Sequence, residues 1–298
     1  MLHKKLFVMV IIIVIASVTI IACDGQDEVD TDSIKTVTDG LGNEVSFKNQ
    51  PETVVTMMPN LTEIVYALGL EDNILGVSNW CDYPIEAIEK PKVGDAMDLD
   101  VEKIVSLEPD IVLMGAGETM GEVQDKLAEM DIDTMVYDPK NIDEILEMID
   151  TLGELFDQTE EAAELLDEFE SKHDDLIEKT QEIDEFPSVF LLLDTNSLYT
   201  VGDGEFMSEV IELAGANNIA SKKDEGYFVL NQEILIEKDP NYIITTFPDT
   251  NVLEDMGALS ELTAVKEDKV VEVDGDLLSR PGPRIIDGAF ELFELLHE

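Results

Sequence analysis

The sequence predicts an α/β protein of two similar lobes, each built on a largely parallel sheet, joined by one long helix. Three observations predict it. Short apolar strand candidates alternate with helical stretches of roughly 10–15 residues, the pattern of an α/β unit. Two spaced motifs recur in the same order in both halves of the chain. A charged, uninterrupted helical segment lies between those halves.

In the first half, Val54–Met58 (VVTMM) reads as a strand ending at Pro59. Leu61–Leu68 reads as a helix, with Asn60 as its cap, Glu63 three residues later in capping-box position, and Gly69 as the stop. Ile74–Val77 is the next strand and delivers Ser78-Asn79-Trp80-Cys81-Asp82-Tyr83-Pro84 as a loop. A short helix over Val101–Leu107, a strand over Ile111–Met114 and a tight turn over Gly115–Gly117 come next. A helix at 119–130, a strand over Thr134–Tyr137 and a helix at 141–155 complete this half.

From Gln158 to about Glu182 the chain has no Gly or Pro and keeps Ala162, Leu165, Leu166, Phe169, Leu176 and Ile177 at helical spacing. This is one helix, about 35 Å long at about 1.5 Å per residue. Asp184-Glu185-Phe186-Pro187 ends it. The second half then runs strand Val189–Leu193, helix 205–213, a Gly-containing loop with Tyr227-Phe228, helix 232–238 and strand Ile243–Phe247. Helix 252–258, strand Lys269–Val273 and a terminal helix from about Pro283 follow.

The halves answer each other. Glu63 to Gly69 (EIVYALG) matches Glu209 to Gly215 (EVIELAG), a spacing of six in both. Glu102 to Pro109 matches Glu233 to Pro240, a spacing of seven in both. Two matches in one order predict two related lobes, residues 35–157 and 185–298, with 158–184 as the strut. Ligand sites favour the cleft between such lobes and the carboxyl ends of parallel strands.

The first residues carry an address. His3, Lys4 and Lys5 precede an apolar run from Leu6 to Ala22, the layout of a secretory signal peptide. Ile20-Ile21-Ala22-Cys23 resembles the processing site of bacterial-type lipoproteins. That resemblance implies that residues 1–22 are removed and that Cys23 carries the lipid; the alternative is an uncleaved membrane helix. Both place the remainder at the extracytoplasmic face of the membrane, beyond an acidic tether at 23–34.

Without residues 1–22 the chain carries 16 Lys and Arg against 68 Asp and Glu, a formal charge of −52 over 276 residues. Hydrophobic residues make up 44% of the full sequence, which excludes a disordered acidic polymer. The acids are spread through nearly every segment, so they read as a solvated surface of the kind that high salt tolerates. Nucleic acid is excluded as a partner because its backbone demands Lys and Arg.

Chemistry is sparse. The chain has no GxGxxG, no P-loop, no GxSxG and no HExxH. Its three His stand apart from one another and from Cys81, which leaves no Cys/His metal set and no nucleophile–base pair. No catalytic residue and no resident cofactor are assigned; an extracellular enzyme is the contrasting reading.

Aromatic residues are only 6% of the sequence, which makes their positions informative. Trp80, Tyr83, Tyr199 and Tyr227 fall in loops of both halves and suit two walls closing on a flat ligand. Each could instead plug its own lobe's core. Asn60 caps a helix whose amides also face the cleft, and Asp82 either caps a turn or meets ligand. The only two Arg of the chain, Arg280 and Arg284, share the loop Ser279–Arg284. One is expected to bind structure, such as Asp276, and the other ligand.

From about Lys35 onward the chain resembles the substrate-binding proteins of ABC importers for cobalamin, haem and iron–siderophore complexes. The residues that carry the resemblance are TVTDGLGNEVSF (36–47), VVTMMPNLTEIVYALG (54–69), GVSNWCDYP (76–84), VEKIVSLEPDIV (101–112), GDGEFMSEVIELAGANNI (202–219) and SRPGPRI (279–285). It implies two Rossmann-like lobes on a helical backbone. NWCDYP is most similar to the segment of cobalamin-binding members whose aromatic lines the corrinoid cleft. On the same matching, Tyr199, Tyr227, Asp276 and Arg280 fall at or near ligand-facing positions. Cobalamin binders also carry a cleft Trp where this chain runs Val93–Met97 without an aromatic, which keeps haem and ferric siderophores as the alternative. Glu102 and Glu233 match the acids that dock on permease arginines. The resemblance therefore implies a monomeric, lipid-anchored capture protein. It would deliver a corrinoid to a permease driven by its ATPase, with little lobe motion because the strut is stiff.

Overall fold

The structure, a computed structural model, describes residues 35–297 apart from 96–97, 118–119, 222–225, 249, 251–252 and 254–256. The signal segment 1–22, Cys23, the tether and most of the expected helix 252–258 therefore lie outside the described residues. Among the described residues, no helix is long and apolar enough to cross a membrane.

Strands β1 (Lys35–Thr38) and β2 (Glu44–Phe47) form an antiparallel hairpin that the strand pattern did not single out. Its turn is held by Asp39, whose Oδ1 accepts from the amides of Leu41 (3.0 Å) and Asn43 (2.8 Å). Then follow β3 (Val54–Thr56), α1 (Pro59–Ala67), β4 (Ile74–Val77), α2 (Val101–Leu107), β5 (Ile111–Gly115), α3 (Met120–Ala128), β6 (Asp133–Tyr137) and α4 (Ile142–Leu155). The strut is α5 (Thr159–Gln181). Beyond it come β7 (Ser188–Leu192), β8 (Tyr199–Val201), α6 (Phe206–Leu213), β9 (Asn217–Asn218), β10 (Tyr227–Val229), α7 (Gln232–Lys238) and β11 (Tyr242–Thr245). The chain closes with α8 (Thr263–Lys266), β12 (Val270–Glu272), α9 (Gly275–Ser279) and α10 (Ile285–His297).

Both main sheets are parallel, with orders β4-β3-β5-β6 and β12-β11-β7-β9. Numbered within its own lobe, each sheet has the order 2-1-3-4, so the sequence echo is a topological repeat. The echoed motifs match in backbone detail as well. Gly69 and Gly215 end α1 and α6 at positive φ, 75° and 71°. Helices α2 and α7 end on Glu108 and Asp239, both left-handed (φ 51° and 40°), just before Pro109 and Pro240.

Strands buried on both faces read as continuous apolar runs, and alternate residues feed different cores. On β5, Ile111 and Leu113 join an inner cluster while Val112 and Met114 join the outer one of the first lobe. On β7, Val189 and Leu191 join that same inner cluster, and Phe190 and Leu192 the outer one of the second lobe. The inner cluster runs unbroken from Ile64 and Leu152 through Ala162, Phe169 and Leu176 of the strut to Ile211 and Leu292. The two lobes thus share one apolar back.

Three expectations are corrected. Asn60 does not cap α1, because the helix starts earlier: Met58 is the extended cap residue and Pro59 takes the first turn, where its missing N–H costs nothing. Tyr227-Phe228 is no loop. It is strand β10, paired antiparallel with β8 so that Tyr227 faces Val201 and Val229 faces Tyr199. In the region of the expected helix 252–258, the described residues form a 3-10 turn over Gly257–Glu261.

Candidate ligand cleft

Loops leaving the carboxyl ends of the two sheets meet each other. On one edge, the loop after β4 and the start of α1 reach the α9–α10 connection. On the other, the loop after β6 reaches the start of α6. Since β4 and β6 are opposite edges of the first sheet, the cleft is bridged at both sides.

The first bridge is built on Glu63, which is only 3% exposed. Arg280 donates from Nη1 to its Oε1 (3.0 Å). Arg284 donates from Nε to Oε2 (2.9 Å) and from Nη2 to Oε1 (2.8 Å), the two-pronged geometry that a guanidinium offers a carboxylate. Both Arg of the chain are thus spent on one buried carboxylate of the opposite lobe. Arg280 also pairs through Nη2 with Asp82 (2.8 Å) and Asp276 (2.7 Å). Arg284 lies over the Tyr83 ring, its Cζ 3.7 Å from the centroid. Burial opposes the Arg280 charge, but its bonds to Glu63 and Asp82 and the nearby Asp276 hold its pKa above the ordinary value. Burial raises the Asp276 carboxyl; Arg280 pulls it down, and Asp82 and Asp274 push it up again.

Glu209, the repeat counterpart of Glu63, crosses the other way and accepts from the Ile142 amide at the start of α4 (2.8 Å). Beside it, Lys140 Nζ lies 3.2 Å from Asp138 and 3.5 Å from Glu205. Helix α4 starts there with a reciprocal cap. Asn141 accepts from the Glu144 amide (2.8 Å) while Glu144 accepts from the Lys140 amide (2.7 Å).

The expected site residues fall as follows. The Asn60 side chain donates from Nδ2 to the Pro281 carbonyl (3.1 Å), an interlobe contact in place of the expected cap. Asp82 is drawn to Arg280 rather than closing its own turn. Trp80 is 68% exposed on the loop that Asp82 ties across the cleft. Tyr199 and Tyr227 stack, with ring centroids 6.2 Å apart and planes at 23°. The Tyr227 phenol titrates far above its usual range through burial and then through nearby Glu205, Tyr199 and Asp138. That pair therefore sits by the Lys140 bridge, and Trp80 by the Arg280 bridge. Arg280, expected as a ligand donor, is already engaged by three carboxylates. Glu102 and Glu233 are exposed at the starts of α2 and α7, beside the capping side chains of Asp100 and Asn231.

Sequence reasoning missed Glu63, Lys140, Glu205 and Glu209 as crossing residues. Glu63 and Glu209 open the first echo, the one sequence signal that sets the two apart together. Cys81 is 1% exposed, and its sulfur lies 3.0 Å from Thr62 Oγ1 and 3.2 Å from Ser78 Oγ, so it anchors the Trp80 loop to α1. Among the described residues, no group of His, Cys, Asp and Glu is arranged to hold a metal.

Comparison with known proteins agrees with this architecture. The family model described as periplasmic binding protein matches residues 54–277. A protein named an uncharacterized ABC transporter substrate-binding lipoprotein, YvrC of Bacillus subtilis, is 34% identical over 269 residues, covering 88% of this chain and 85% of its own. A vitamin B12-binding protein of Vibrio cholerae is 30% identical over 239 residues, 79% of this chain and 86% of its own. A crystal structure of a possible iron-binding periplasmic solute-binding protein from Staphylococcus epidermidis superposes with a TM-score of 0.75 at 28% identity, over 84% of this chain and all of that one. Matched across most of its length by a model of binding proteins rather than of enzymes, the chain belongs to the periplasmic binding protein family.

Proposed function

We propose that this chain is the extracytoplasmic solute-binding component of an ABC importer, tethered through a lipid on Cys23. It captures a small metal chelate between lobes 35–157 and 185–298. One observation supports the reading: loops leaving the carboxyl ends of two parallel sheets meet across the lobes, with Trp80 exposed on the loop after β4 and the Tyr199–Tyr227 stack in the opposite lobe. No bond is made or broken. A permease and its ATPase receive the solute. The corrinoid expectation broadens here to corrinoid, haem or ferric siderophore, since the relatives include both a vitamin B12 binder and a possible iron binder.

The test is purification without added ligand, followed by titration with cyanocobalamin, haemin and a ferric hydroxamate. Visible absorption and quenching of Trp80, the only tryptophan, are the readouts. Saturable 1:1 binding at micromolar concentration or tighter by at least one of them is the expected result. No saturable binding by any would remove the reading.

Glu102 and Glu233 are proposed as the docking acids for the permease. Removing both (Glu102→Ala, Glu233→Ala) is expected to leave ligand affinity unchanged and to lower delivery in reconstituted vesicles about tenfold or more. Rim charges set encounter and register rather than cleft chemistry. Unchanged delivery would place the docking surface elsewhere.

A further inference from the structure

The cations that bridge the two lobes, Arg280, Arg284 and Lys140, are already paired with carboxylates. Arg280 holds Glu63, Asp82 and Asp276 at 3.0, 2.8 and 2.7 Å. Arg284 holds Glu63 and lies on the Tyr83 ring. Lys140 sits between Asp138 and Glu205. The exposures show which partner faces outward. Arg280 is 10% exposed, whereas Asp82 and Asp276, which cover it, are 57% and 47% exposed. What Arg280 and its partners turn outward is carboxylate oxygen, whereas Arg284 (20% exposed) is covered on one face by the Tyr83 ring and Lys140 (45%) is matched by Asp138 (44%).

The charges do not balance on either side. Three carboxylates meet two guanidinium groups at the Glu63 bridge, and two carboxylates meet one ammonium at the Lys140 bridge. Among these described bridging residues, each edge keeps one surplus negative charge. A ligand with free carboxylates has two options. It displaces Asp82 or Asp276 from Arg280, leaving that acid without its partner, or it sits unpaired beside them; like charges at close range are penalised either way. A ligand with amide, hydroxyl or ammonium donors meets acceptors already held in place by Arg280.

We propose that the cleft takes neutral or cationic chelates that present N–H or O–H donors at their rim, and rejects chelates that carry free carboxylates. This rests on the chelate-capture reading above and narrows it. Arg280 becomes a positioning residue that sets the two outward carboxylates. A corrinoid, with its rim of amides, and a ferric hydroxamate bearing a pendant ammonium both lie inside the class. Haem with its two propionates, and ferric citrate, lie outside it.

The experiment titrates the purified full chain with cyanocobalamin, ferrioxamine B, haemin and ferric citrate at low and high salt, reading stoichiometric binding by calorimetry and Trp80 quenching. The tightest ligand is expected to be one of the first two, and to lead haemin and ferric citrate by about tenfold or more at low salt. Stoichiometric binding of haemin or ferric citrate as tight as the tighter of the other two would overturn the inference and leave chelate capture standing. If none of the four binds, capture and inference fall together. A second measurement separates charge from shape: Asp82→Asn with Asp276→Asn keeps the size of both side chains and removes both charges. The lead over haemin is expected to shrink several-fold in that variant. A lead that does not change overturns the assignment to these two residues, and the wild-type comparison stands whatever the variant's stability.

Discussion

Glu63→Ala is expected to lower folding stability by about 3–5 kcal/mol, a loss read as a lower midpoint in urea with little change in slope. The size follows from what is left behind. Glu63 is 3% exposed and is the carboxylate to which Arg284 donates twice. Without it, Arg280 keeps Asp82 and Asp276, but Arg284 keeps only the face of Tyr83. A partly buried guanidinium without its carboxylate is the costly product, more than the lost bonds themselves. The reverse change should be milder. Arg284→Ala leaves Glu63 still paired with Arg280 at 3.0 Å, so its cost is expected to be smaller than that of Glu63→Ala. Equal losses, or a loss under about 1 kcal/mol for Glu63→Ala, would class the cluster with ordinary exposed ion pairs. Much of the loss should persist in concentrated salt, because a buried pair is screened far less than a surface one.

That cluster also shows where sequence reading stops. The paired spacings Glu63–Gly69 and Glu209–Gly215 were legible, and so were the turns behind them, because a helix stop is a local matter of one residue's backbone freedom. The strut was legible for the same reason: its apolar spacing and lack of Gly and Pro are properties of 23 consecutive residues. Glu63 was read as a local capping partner, and its true partners lie 217 and 221 positions away. No periodicity encodes such a distance. The scarcity of Arg points to Arg280 and Arg284, and to Asp276 as a partner for one of them, but not to their sharing one buried acid of the opposite lobe. The Tyr199–Tyr227 stack escaped for another reason. Its strands are three residues each, too short for alternation to show. The β1–β2 hairpin does carry a local signal, Asp-Gly and Gly-Asn between alternating residues.

Gly153→Ala is expected to destabilise the protein, against the usual sign for a helical glycine. In an ordinary helix this change gains about 1 kcal/mol through lower backbone entropy in the unfolded chain. Gly153 lies in α4 where the strut packs on it, and a Cβ there would sit 2.4 Å from the Cβ of Ala162 and 3.2 Å from the Gln158 carbonyl oxygen. Neither atom belongs to a flexible side chain, so α4 and α5 must move apart. Overpacking of this kind costs about 1–3 kcal/mol or more, enough to reverse the propensity gain. Gly121 in α3 has nothing within 4 Å of its would-be Cβ, so Gly121→Ala should be neutral or stabilising and serves as the control. Ala162→Gly added to Gly153→Ala removes the opposing Cβ and should restore much of the loss, leaving a coupling of about 1 kcal/mol or more in the cycle. The same contact bears on function, because it seats the strut against the first lobe while Leu176 and Phe169 continue the apolar back toward the second. A strut seated this closely favours a small opening. Free and ligand-bound chains should therefore differ little in radius of gyration, and Gly153→Ala should widen that difference. A large lobe rotation in the unaltered protein on ligand binding would show that the shared apolar back does not restrain the lobes.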